Sequence, residues 1–490
     1  DFGYDKPIMD IPKEVQSVVS LLEKKGFEAY IVGGCVRDLL LGREPEDWDV
    51  ATQAKPEEVQ ALFPDNFYEN KFFTVTVLTE SKNPKLKEIE VTTFRSDMKY
   101  GDRRHPEQVE YAKTIEEDLA RRDFTMNAVA LKSNGDVVDP FKGEKDLKTK
   151  LIRAVGDADA RFQEDALRMM RGVRFVATLG FKLEEQTRKA IEKNSVLLKE
   201  ISQERIRDEL VKTLMGDGAA DGIEQMRELR LLQYIIPELL EGVNVSQNKH
   251  HIYNVWEHNL HSLEYAIAKG WELRVRLAVL LHDVGKPRTK RGEGPDATFY
   301  SHEVEGAKMT RRILSRLKFS REDIEKISDL VRYHMFYYNV GEVTESSVRR
   351  LMAKIGPENM EELLQVRMAD RIGSGVPKAQ PYKLRHLRYI IDKVSQDPIG
   401  AKMLNINGNN EMELLKISPG PKVGWILDTL LGEVLDDPAQ NKKELLEARV
   451  KELGTLSEKE LKELSLNAKL GKEEVETERD KATKQKYYVS

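Results

Sequence analysis

The sequence predicts an α+β protein, with an α/β head followed by a long all-α remainder. Two observations support this fold class: strand-like and helix-like patterns alternate up to Arg153, and helical patterns follow it. The chain has 490 residues, of which 40% are hydrophobic. This length and composition suit about three domains with buried cores.

Short apolar runs predict the strands of the head, and helical spacing predicts its helices. Val15–Leu22 has apolar residues at helical spacing. A second helix is expected at Val36–Leu41, directly after the first strand. Runs rich in Val, Thr and Phe predict the strands Ala29–Val32, Trp48–Ala51, Phe72–Leu78, Glu88–Phe94 and Ala128–Leu131.

Amphipathic patterns predict that the remainder consists of helices, with Gly and Pro residues at the breaks. From about Lys451 the sequence is rich in Lys and Glu and poor in aromatic residues. This composition predicts either a solvated helix or a frayed tail. Predicted helices include Asp165–Leu179, Glu204–Leu214 and Arg274–Leu281.

Composition excludes several classes of protein. The single cysteine, Cys35, cannot form an internal disulfide or a cysteine zinc cluster, which predicts a reducing, cytoplasmic location. No apolar run predicts a membrane span, and residues 1–10 lack the apolar segment of a signal peptide. The net charge of −5 argues against a nucleic-acid partner, unless a basic stripe is placed locally.

A turn of two glycines follows the first predicted strand. Gly33 and Gly34 let backbone amides approach a ligand closely, and the helix expected after them favours an anion at its N-terminus. Arg37 adds a positive charge within the first turn of that helix. Together these residues predict a phosphate site, although a Gly-Gly turn alone would be weak support.

Asp47 and Asp49 flank Trp48, and on a strand this spacing places both carboxylates on one face. Paired carboxylates beside a phosphate site suit Mg²⁺, which can assist an attacking hydroxyl and a leaving pyrophosphate. Acid pairs are also common on exposed strands. The prediction therefore depends on the ordered set of strand, glycines, arginine and acid pair.

This set resembles the class II tRNA nucleotidyltransferases, the family of CCA-adding enzymes and bacterial poly(A) polymerases in the DNA polymerase β superfamily. The resemblance is close from about Ala29 to Met215 and looser beyond, with Cys35 where alanine is usual. It implies a polymerase-β-like nucleotidyltransferase head followed by an all-α neck and body. Two further family motifs stand at Arg121-Arg122-Asp123-Phe124-Thr125-Met126-Asn127-Ala128 and at Glu164-Asp165-Ala166-Leu167-Arg168-Met169-Met170-Arg171-Gly172-Val173-Arg174-Phe175.

The resemblance implies a role for each matched residue. Asp47 and Asp49 would bind the catalytic metals, and Arg122 with Asp123 would contact the ribose. Asp165 and Arg168 would recognise the base edge in place of a nucleic-acid template. The full set of implied nucleotide-binding residues is Gly33, Gly34, Arg37, Arg122, Asp123, Asn127, Asp165, Arg168, Arg171 and Arg174.

Spacing within the last motif supports these roles independently. Asp165 and Arg168 are three residues apart, which on a helix makes them neighbours that can accept from and donate to a base. Arg171 and Arg174 continue the face and are expected to reach the phosphates. Without this context, an ion-paired solvated helix would explain the spacing as well.

The segment Tyr100–Pro106 resembles the flexible loop that the family carries before Arg121. Family members that add only CC lack a complete loop, so its presence favours a chain able to add A. The alternative is a plain polar surface loop.

Histidines in the remainder carry a second resemblance. His282-Asp283-Val284-Gly285-Lys286-Pro287 resembles the signature of HD domains, which are helical metal-dependent phosphohydrolases. Imidazole and carboxylate ligands without thiolate suit Mn²⁺ or Ni²⁺ better than structural zinc, and such a metal would activate water. The matching ligand positions are His258, His282, Asp283 and Asp370, with His302 and His334 at those of a second metal.

Two segments near the C-terminus predict tRNA contacts. Pro377–Lys393 holds five basic residues against one acid, with Tyr382 and Tyr389 between them. Such a pattern suits an RNA backbone and its bases, with a solvated helix as an equal alternative. Leu404–Leu430 resembles the C-terminal tRNA-binding region of HD-containing family members.

The predicted function is addition of CCA to the 3′ end of tRNA from CTP and ATP, with contacts to the 3′ end and acceptor arm. An HD phosphohydrolase activity on RNA ends, such as those with a 2′,3′-cyclic phosphate or a 3′-phosphate, would accompany it. The predicted segments are a head at 1–152, neck helices at 153–215, a helical connection at 216–249, an HD domain at 250–372, a tRNA-binding region at 373–450 and a charged tail at 451–490.

The sequence leaves four alternatives open. The first two are an enzyme that adds only A and a poly(A) polymerase. The others are an HD phosphohydrolase with a non-catalytic head and a non-catalytic RNA-binding protein. The oligomeric state and the HD substrate are not determined by the sequence.

Overall fold

A computed structural model describes residues 10–69, 73–100, 106–248, 252–376, 378–395 and 401–489. The described residues within Asp1–Met335 and Glu362–Pro377 form one compact unit, and those within Phe336–Glu361 and Lys378–Ser490 form a second. Residues 101–105 of the expected flexible loop lie outside the described residues, so that assignment stays a prediction.

The head combines short helices with many strands. Its helices are α1 (Lys13–Lys24), α2 (Gly34–Leu40), α3 (Pro56–Leu62), α4 (Ile115–Ala120) and α5 (Gly143–Lys148). Its strands are β1 (Ala29–Val32), β2 (Asp49–Thr52), β3 (Asn66–Glu69), β4 (Thr74–Leu78), β5 (Glu88–Thr93), β6 (Arg95–Tyr100), β7 (Pro106–Tyr111), β8 (Ala130–Leu131), β9 (Val137–Val138) and β10 (Leu151–Ile152).

The remainder is helical, as predicted, apart from the two-residue strand β11 (Lys182–Leu183), which pairs with β10. Its helices are α6 (Ala158–Glu164), α7 (Leu167–Leu179), α8 (Glu185–Asn194), α9 (Gln203–Met215), α10 (Ala219–Glu228), α11 (Leu232–Ile235), α12 (Pro237–Leu240), α13 (Val255–Ala268), α14 (Leu273–Leu281), α15 (Lys286–Thr289), α16 (His302–Arg316), α17 (Arg321–Tyr333), α18 (Glu345–Ile355), α19 (Met360–Gly373), α20 (Tyr382–Ser395), α21 (Gly408–Leu415), α22 (Pro421–Asp436), α23 (Lys443–Gly454) and α24 (Glu458–Tyr487).

A seven-stranded mixed sheet in the order β3-β4-β5-β2-β1-β8-β9 organises the head. Side chains alternate across it, so Ile31 and Val50 pack in a core with α1 and α3, while Tyr30 and Ala51 pack in a second core on the other face. β1 runs antiparallel to β2, and Val32 at the end of β1 pairs with Asp49 at the start of β2. The glycine turn and the acid pair are therefore brought to one edge of the sheet.

The predicted strands of the head are present: Ala29–Val32 has the predicted bounds, and the other four have shifted boundaries. The strand expected at Ala128–Leu131 begins at Ala130, because Thr125–Asn127 forms a 3₁₀ turn. The sequence did not predict α3, β3 or the β6–β7 hairpin, which are short and rich in polar residues. In the described residues, no helix is both long enough and apolar enough to cross a membrane.

The Lys/Glu-rich C-terminal segment is a packed helix rather than a frayed tail. In the second unit, α24 buries Leu461 completely, and Ser465 Oγ donates a 2.8 Å hydrogen bond to Asp428 of α22. Gly432 permits this packing, because a Cβ atom there would lie 2.8 Å from Ala468 Cβ. Helix α24 therefore packs its apolar stripe into the core of the second unit, and its charged residues face the solvent.

Replacing Leu461 by alanine should therefore lower the free energy of unfolding of the second unit by about 2–5 kcal/mol, because it leaves a cavity in this core. Chemical denaturation followed by circular dichroism measures the change. Leu470→Ala on the same helix is the matched control, since Leu470 is 54% exposed and its truncation should be close to neutral. Equal effects of the two changes would contradict the packing.

Candidate functional site

The Gly33–Gly34 turn forms the centre of the first site. Gly33 has φ +83°, and a Cβ atom there would lie 3.0 Å from both Asp49 Oδ2 and Arg122 Nη1. The positive φ favours glycine, and any other side chain would also crowd this carboxylate and this guanidinium. Arg122 also donates to Asp118 Oδ2 at 3.3 Å, and its buried Nε finds no acceptor among the described residues. The predicted residues Gly33, Asp49 and Arg122 therefore meet.

The second glycine brings in the remaining predicted residues of this edge. A Cβ atom on Gly34 would lie 3.7 Å from Arg37 Nη2 and 4.0 Å from Asp47 Oδ1. Asp47 itself lies in an exposed bend before β2, and Trp48 is buried in the core. The expected alternation of the two acids around Trp48 thus holds, although only Asp49 belongs to the strand.

The carboxylate pair lacks sufficient counter-charge among the described residues. Burial and the neighbouring Asp47 carboxylate raise the pKa of Asp49 to about 7, and Arg122 offsets this only in part. A divalent cation held by both carboxylates would remove the repulsion, and oxygen ligands of this kind suit a hard ion. The residues present therefore fit a catalytic divalent metal. A cavity of about 450 Å³ opens beside Asp49.

Asp123 is a buried anion that joins the head to α7. It accepts hydrogen bonds from the Phe124 backbone N–H at 2.8 Å, from Asn127 Nδ2 at 3.1 Å and from Arg171 Nε at 2.6 Å. Burial opposes its charge, but Arg171 and Asn127 lower the pKa of Asp123 to about 2. Asn127 Oδ1 accepts in turn from Arg37 Nη1 at 3.1 Å. Four of the predicted nucleotide-binding residues, Arg37, Asp123, Asn127 and Arg171, thus form one connected hydrogen-bond network.

The Phe175 ring collects three guanidinium groups. Those of Arg37, Arg171 and Arg174 lie 5.3, 5.9 and 4.4 Å from its centroid, within the range of cation–π attraction. Arg174 Nε also lies 2.9 Å from a Glu209 carboxylate oxygen. Arg37 and Arg171 likewise pair with Asp38 and Asp123, at 2.9 and 2.6 Å. This cluster, named here the arginine cluster, therefore groups three cations that each have a carboxylate partner, with which a phosphate would compete.

The structure corrects the prediction that Asp165 lies on a helix with Arg168. Asp165 has extended backbone angles between α6 and α7, because α7 begins only at Leu167. Its Oδ1 accepts from the Leu167 N–H at 3.0 Å, and its Oδ2 pairs with Arg205 at 2.6 Å. No local sequence signal identified Arg205, which comes from α9.

Arg168 has separate partners from Asp165. Its Nη1 pairs with Glu164 at 2.6 Å, and its Nη2 donates to the Arg121 backbone carbonyl at 3.0 Å. The prediction that Asp165 and Arg168 are neighbours on one face of a helix is therefore wrong. The two roles themselves stay predictions.

A second site forms where five helices of the first unit meet. The two oxygens of Asp283 face different histidine pairs: Oδ2 lies 3.2 and 3.3 Å from Nε2 of His258 and His282, and Oδ1 lies 3.3 and 3.8 Å from Nε2 of His302 and His334. A carboxylate in this position can bridge two metal ions. Asp283 forms one triad with His258 and His282 and a second with His302 and His334. The ligand atoms of each triad lie close enough together to hold one ion.

Backbone carbonyls orient three of these imidazoles. Nδ1 of His282, His302 and His334 each contacts the carbonyl oxygen three residues earlier, at 2.7, 2.8 and 2.7 Å. This contact fixes the tautomer with Nε2 as the free ligand atom. Nε2 of His302 and His334 is buried without a hydrogen-bond partner in the described part of the chain. These orphaned atoms fit metal coordination.

The pKa values of two histidines of the second site are shifted in opposite directions. Burial and the neighbouring His282 and His302 rings lower the pKa of His334 to about 3, so that His334 stays a neutral ligand. Burial also favours neutral His282, but the Asp283 and Asp370 carboxylates raise its pKa to about 10. A metal ion would take the place of this proton.

Cations and a glycine complete the surroundings of this site. Asp370 Oδ1 lies 3.4 Å from His258 Nε2, and its Oδ2 accepts from Arg367 at 2.7 Å. Lys286 Nζ lies 2.6 Å from Asp283 Oδ2. A Cβ atom on Gly285 would lie 2.3 Å from the His302 carbonyl oxygen, so only glycine allows α16 to approach. All six predicted ligands are therefore brought together.

The predicted basic segment of the second unit is largely paired internally. Arg388 pairs with Glu361, and Lys393 lies 2.9 Å from Glu345. Arg385 donates to the Tyr488 carbonyl at 2.9 Å, and Tyr389 is buried. For these side chains the structure favours the alternative of a structural helix over direct RNA contact.

Three family models match the chain: a poly A polymerase head domain over residues 29–153, a probable RNA and SrmB-binding site of polymerase A over residues 180–242, and an HD domain over residues 255–373. A CCA-adding enzyme of Geobacillus thermodenitrificans is 49% identical over 47% of this chain and 55% of its own length. One of Bacillus mycoides is 33% identical over 88% of this chain and 96% of its own length.

Among solved structures, the Bacillus stearothermophilus CCA-adding enzyme in complex with CTP is similar. It has a TM-score of 0.57 and 30% identity, and the match covers 90% of this chain and 96% of that one. The likeness extends through both the head and the helical remainder.

At the second site, each oxygen of Asp283 faces its own pair of histidines, and this arrangement predicts that two metal ions bind per chain. His302→Ala should remove one of two bound ions, because it deletes a ligand of the Oδ1 side and leaves the Oδ2 side intact. Elemental analysis after loading with Mn²⁺ and gel filtration measures the ratio of metal to protein, in an Asp49→Ala background that removes the head site. His261→Ala is the control, since His261 pairs with Glu264 outside the cluster. Unchanged stoichiometry in His302→Ala would contradict a bridged pair.

Proposed function

The chain belongs to the family of CCA-adding enzymes, and from this premise we propose how its two sites act. It is a nucleotidyltransferase that adds CCA to the 3′ ends of tRNA, with CTP and ATP as its other substrates. The 33% identity to a CCA-adding enzyme over 88% of the chain supports this function. The convergence of Asp47, Asp49 and Arg122 on the Gly33–Gly34 turn is the observation that carries the proposed assignment of the head.

In the head, Asp47 and Asp49 hold the divalent metal, which we take to be Mg²⁺ because both ligands are carboxylates. When bound there, such a metal would supply charge stabilisation for the attacking and leaving oxygens. The tRNA 3′-hydroxyl oxygen bonds to the α-phosphorus of CTP or ATP and gives up its proton to solvent, and the bond from that phosphorus to the leaving pyrophosphate breaks. The arginine cluster holds the triphosphate, and Arg122 and Asp123 hold the ribose.

Base selection requires side chains that now have protein partners. Asp165 is paired with Arg205, and Arg168 with Glu164. We propose that Arg168 exchanges Glu164 for the base edge while Asp165, fixed by Arg205 and the Leu167 N–H, accepts from the exocyclic amine. Both cytosine and adenine carry such an amine, which suits a chain that adds C and A.

The HD site supports hydrolysis of phosphate esters at RNA ends. Its divalent metals, which we take to be Mn²⁺ or Ni²⁺, would activate water. The water oxygen bonds to phosphorus, the bond from phosphorus to one ribose oxygen breaks, and that oxygen takes a proton. Six buried ligands with orphaned imidazole nitrogens support this proposal. A tRNA end freed of a 2′,3′-cyclic phosphate or a 3′-phosphate could then be extended by the head.

We place this chemistry in the cytoplasm. Cys35 is buried and unpaired, as expected in a reducing compartment. tRNA, CTP and ATP are present there.

Asp49→Ala should abolish incorporation of C and A, because it removes a metal ligand, while leaving tRNA affinity within about threefold of wild type. Incorporation of labelled CTP and ATP and a filter-binding assay measure the two properties. Glu46→Ala is the matched control, since Glu46 is an exposed neighbouring carboxylate that pairs with Lys85. Substantial incorporation by Asp49→Ala would overturn the assignment of the head.

His282→Ala should abolish hydrolysis of a 3′-phosphate or 2′,3′-cyclic phosphate on a tRNA end in the presence of Ni²⁺ or Mn²⁺. The same variant should add CCA to a tRNA with a free 3′-hydroxyl at the wild-type rate. Asp49→Ala provides the reciprocal control, with hydrolysis retained and addition lost. If His282→Ala hydrolyses these ends as wild type does, the HD proposal fails.

A further inference from the structure

The HD metal cluster opens into a cavity of about 780 Å³ in the first unit. Three of the six metal ligands, Asp283, His302 and Asp370, line this cavity. Its other lining residues include a cationic group and an apolar or aromatic group, beside several polar residues and the acid Glu303. The cationic group is Lys286, Arg367 and Arg371, and the apolar or aromatic group includes Phe299, Tyr300 and Met335.

The cationic group suits an anionic ligand beside the metals. Lys286 Nζ lies 2.6 Å from Asp283 Oδ2, and Arg367 Nη1 lies 2.7 Å from Asp370 Oδ2. Each carboxylate ligand on the cavity wall therefore has a cation next to it. A phosphate that reaches the metals also reaches these cations.

The aromatic group needs a different explanation, because a phosphate gains nothing from an exposed ring. Phe299 is buried, but Tyr300 is 77% exposed and Met335 is 48% exposed. Tyrosine is a large amphipathic ring, and a ring that lines a cavity while facing solvent offers a flat face to a planar ligand. Nucleobases bind to such rings by stacking, with little dependence on sequence.

The backbone ties this ring to a metal ligand. Ser301, between Tyr300 and His302, has φ +63°, a left-handed conformation that few non-glycine residues adopt. This turn directs His302 into the cluster, where His302 is 6% exposed, while Tyr300 stays in solvent. The His302 Nδ1 contact to the Phe299 carbonyl at 2.8 Å closes the same turn. The Cα atoms of Tyr300 and His302 are thus at most about 7 Å apart.

We propose that Tyr300 is the nucleobase-stacking residue of the HD site, so that the cavity binds the last nucleoside of an RNA with its phosphate at the metals and its base on the tyrosine ring. This inference rests on the proposed HD phosphohydrolase activity and specifies its ligand. Tyr300 and Met335 of the lining are exposed to solvent, so the preceding nucleotides could leave the cavity beside them. An RNA end therefore fits better than a small phosphate ester.

The test measures binding, with slowly hydrolysed phosphorothioates as probes. Full-length Mn²⁺-loaded protein is titrated with adenosine 3′-phosphorothioate, with a short RNA ending in a 3′-phosphorothioate, and with inorganic thiophosphate. Tyr300→Ala should weaken the first two about tenfold and leave inorganic thiophosphate within about twofold, because only the first two carry a base. Tyr300→Phe should bind all three as wild type does.

Tyr488→Ala is the control, since Tyr488 is 80% exposed and belongs to the second unit. The inference is overturned if Tyr300→Ala binds all probes normally, or if it weakens inorganic thiophosphate as much as the nucleotides, which would indicate damage to the metal cluster. Wild-type affinity that is no higher for the RNA than for the mononucleotide would overturn the assignment to RNA ends. Hydrolysis of a 3′-phosphorylated RNA is followed in parallel: its absence, with base-dependent binding intact, contradicts the HD activity and leaves the role of Tyr300 standing.

Discussion

A buried carboxylate that needs positive charge beside it is the constraint on which both sites depend. In the head, the pairing of β1 with β2 sets Asp49 against the Gly33 turn, where burial and Asp47 raise its pKa to about 7. In the HD site, Asp283 is buried among four imidazoles. In the head, Arg122 offsets this rise only in part, whereas in the HD site the His282 ring and Lys286 hold the pKa of Asp283 well below its usual range. Each carboxylate needs such a partner, since a buried charge must be paired. The surrounding fold can be understood as the means of holding such groups in place until a metal binds.

Much of this was predictable because the residues that create each site are local in sequence or chemically distinctive. The glycine turn, Arg37 and the acid pair lie within one strand-turn-strand segment, so their spacing predicted their meeting. The HD ligands are far apart in the sequence, but their residue types match a known pattern. Each lies on a helix or close to the end of one, and apolar periodicity predicts such helices.

The features that the sequence did not predict are tertiary. The apolar pattern placed the start of a helix at Asp165, but periodicity could not show that α6 ends at Glu164 and that α7 begins only at Leu167. The pairing of Asp165 with Arg205 spans 40 residues. The contact of Arg168 with the Arg121 carbonyl spans 47. The composition of the basic segment around Arg385 and Arg388 suggested RNA contacts. The sequence could not show that the partners of these residues are acids and carbonyls of their own unit. Net charge is equally uninformative, because it does not show that three arginines gather around Phe175, each beside a carboxylate.

The most direct measurement of the central claim uses three tRNA transcripts, which end at the discriminator base, at C and at CC. Each is incubated with CTP and ATP together, and the products are resolved at single-nucleotide length. A CCA-adding enzyme completes all three to CCA and then stops. Extension of only the CC transcript would reduce the activity to addition of A, extension beyond CCA would indicate a poly(A) polymerase, and no extension of any transcript would contradict the account.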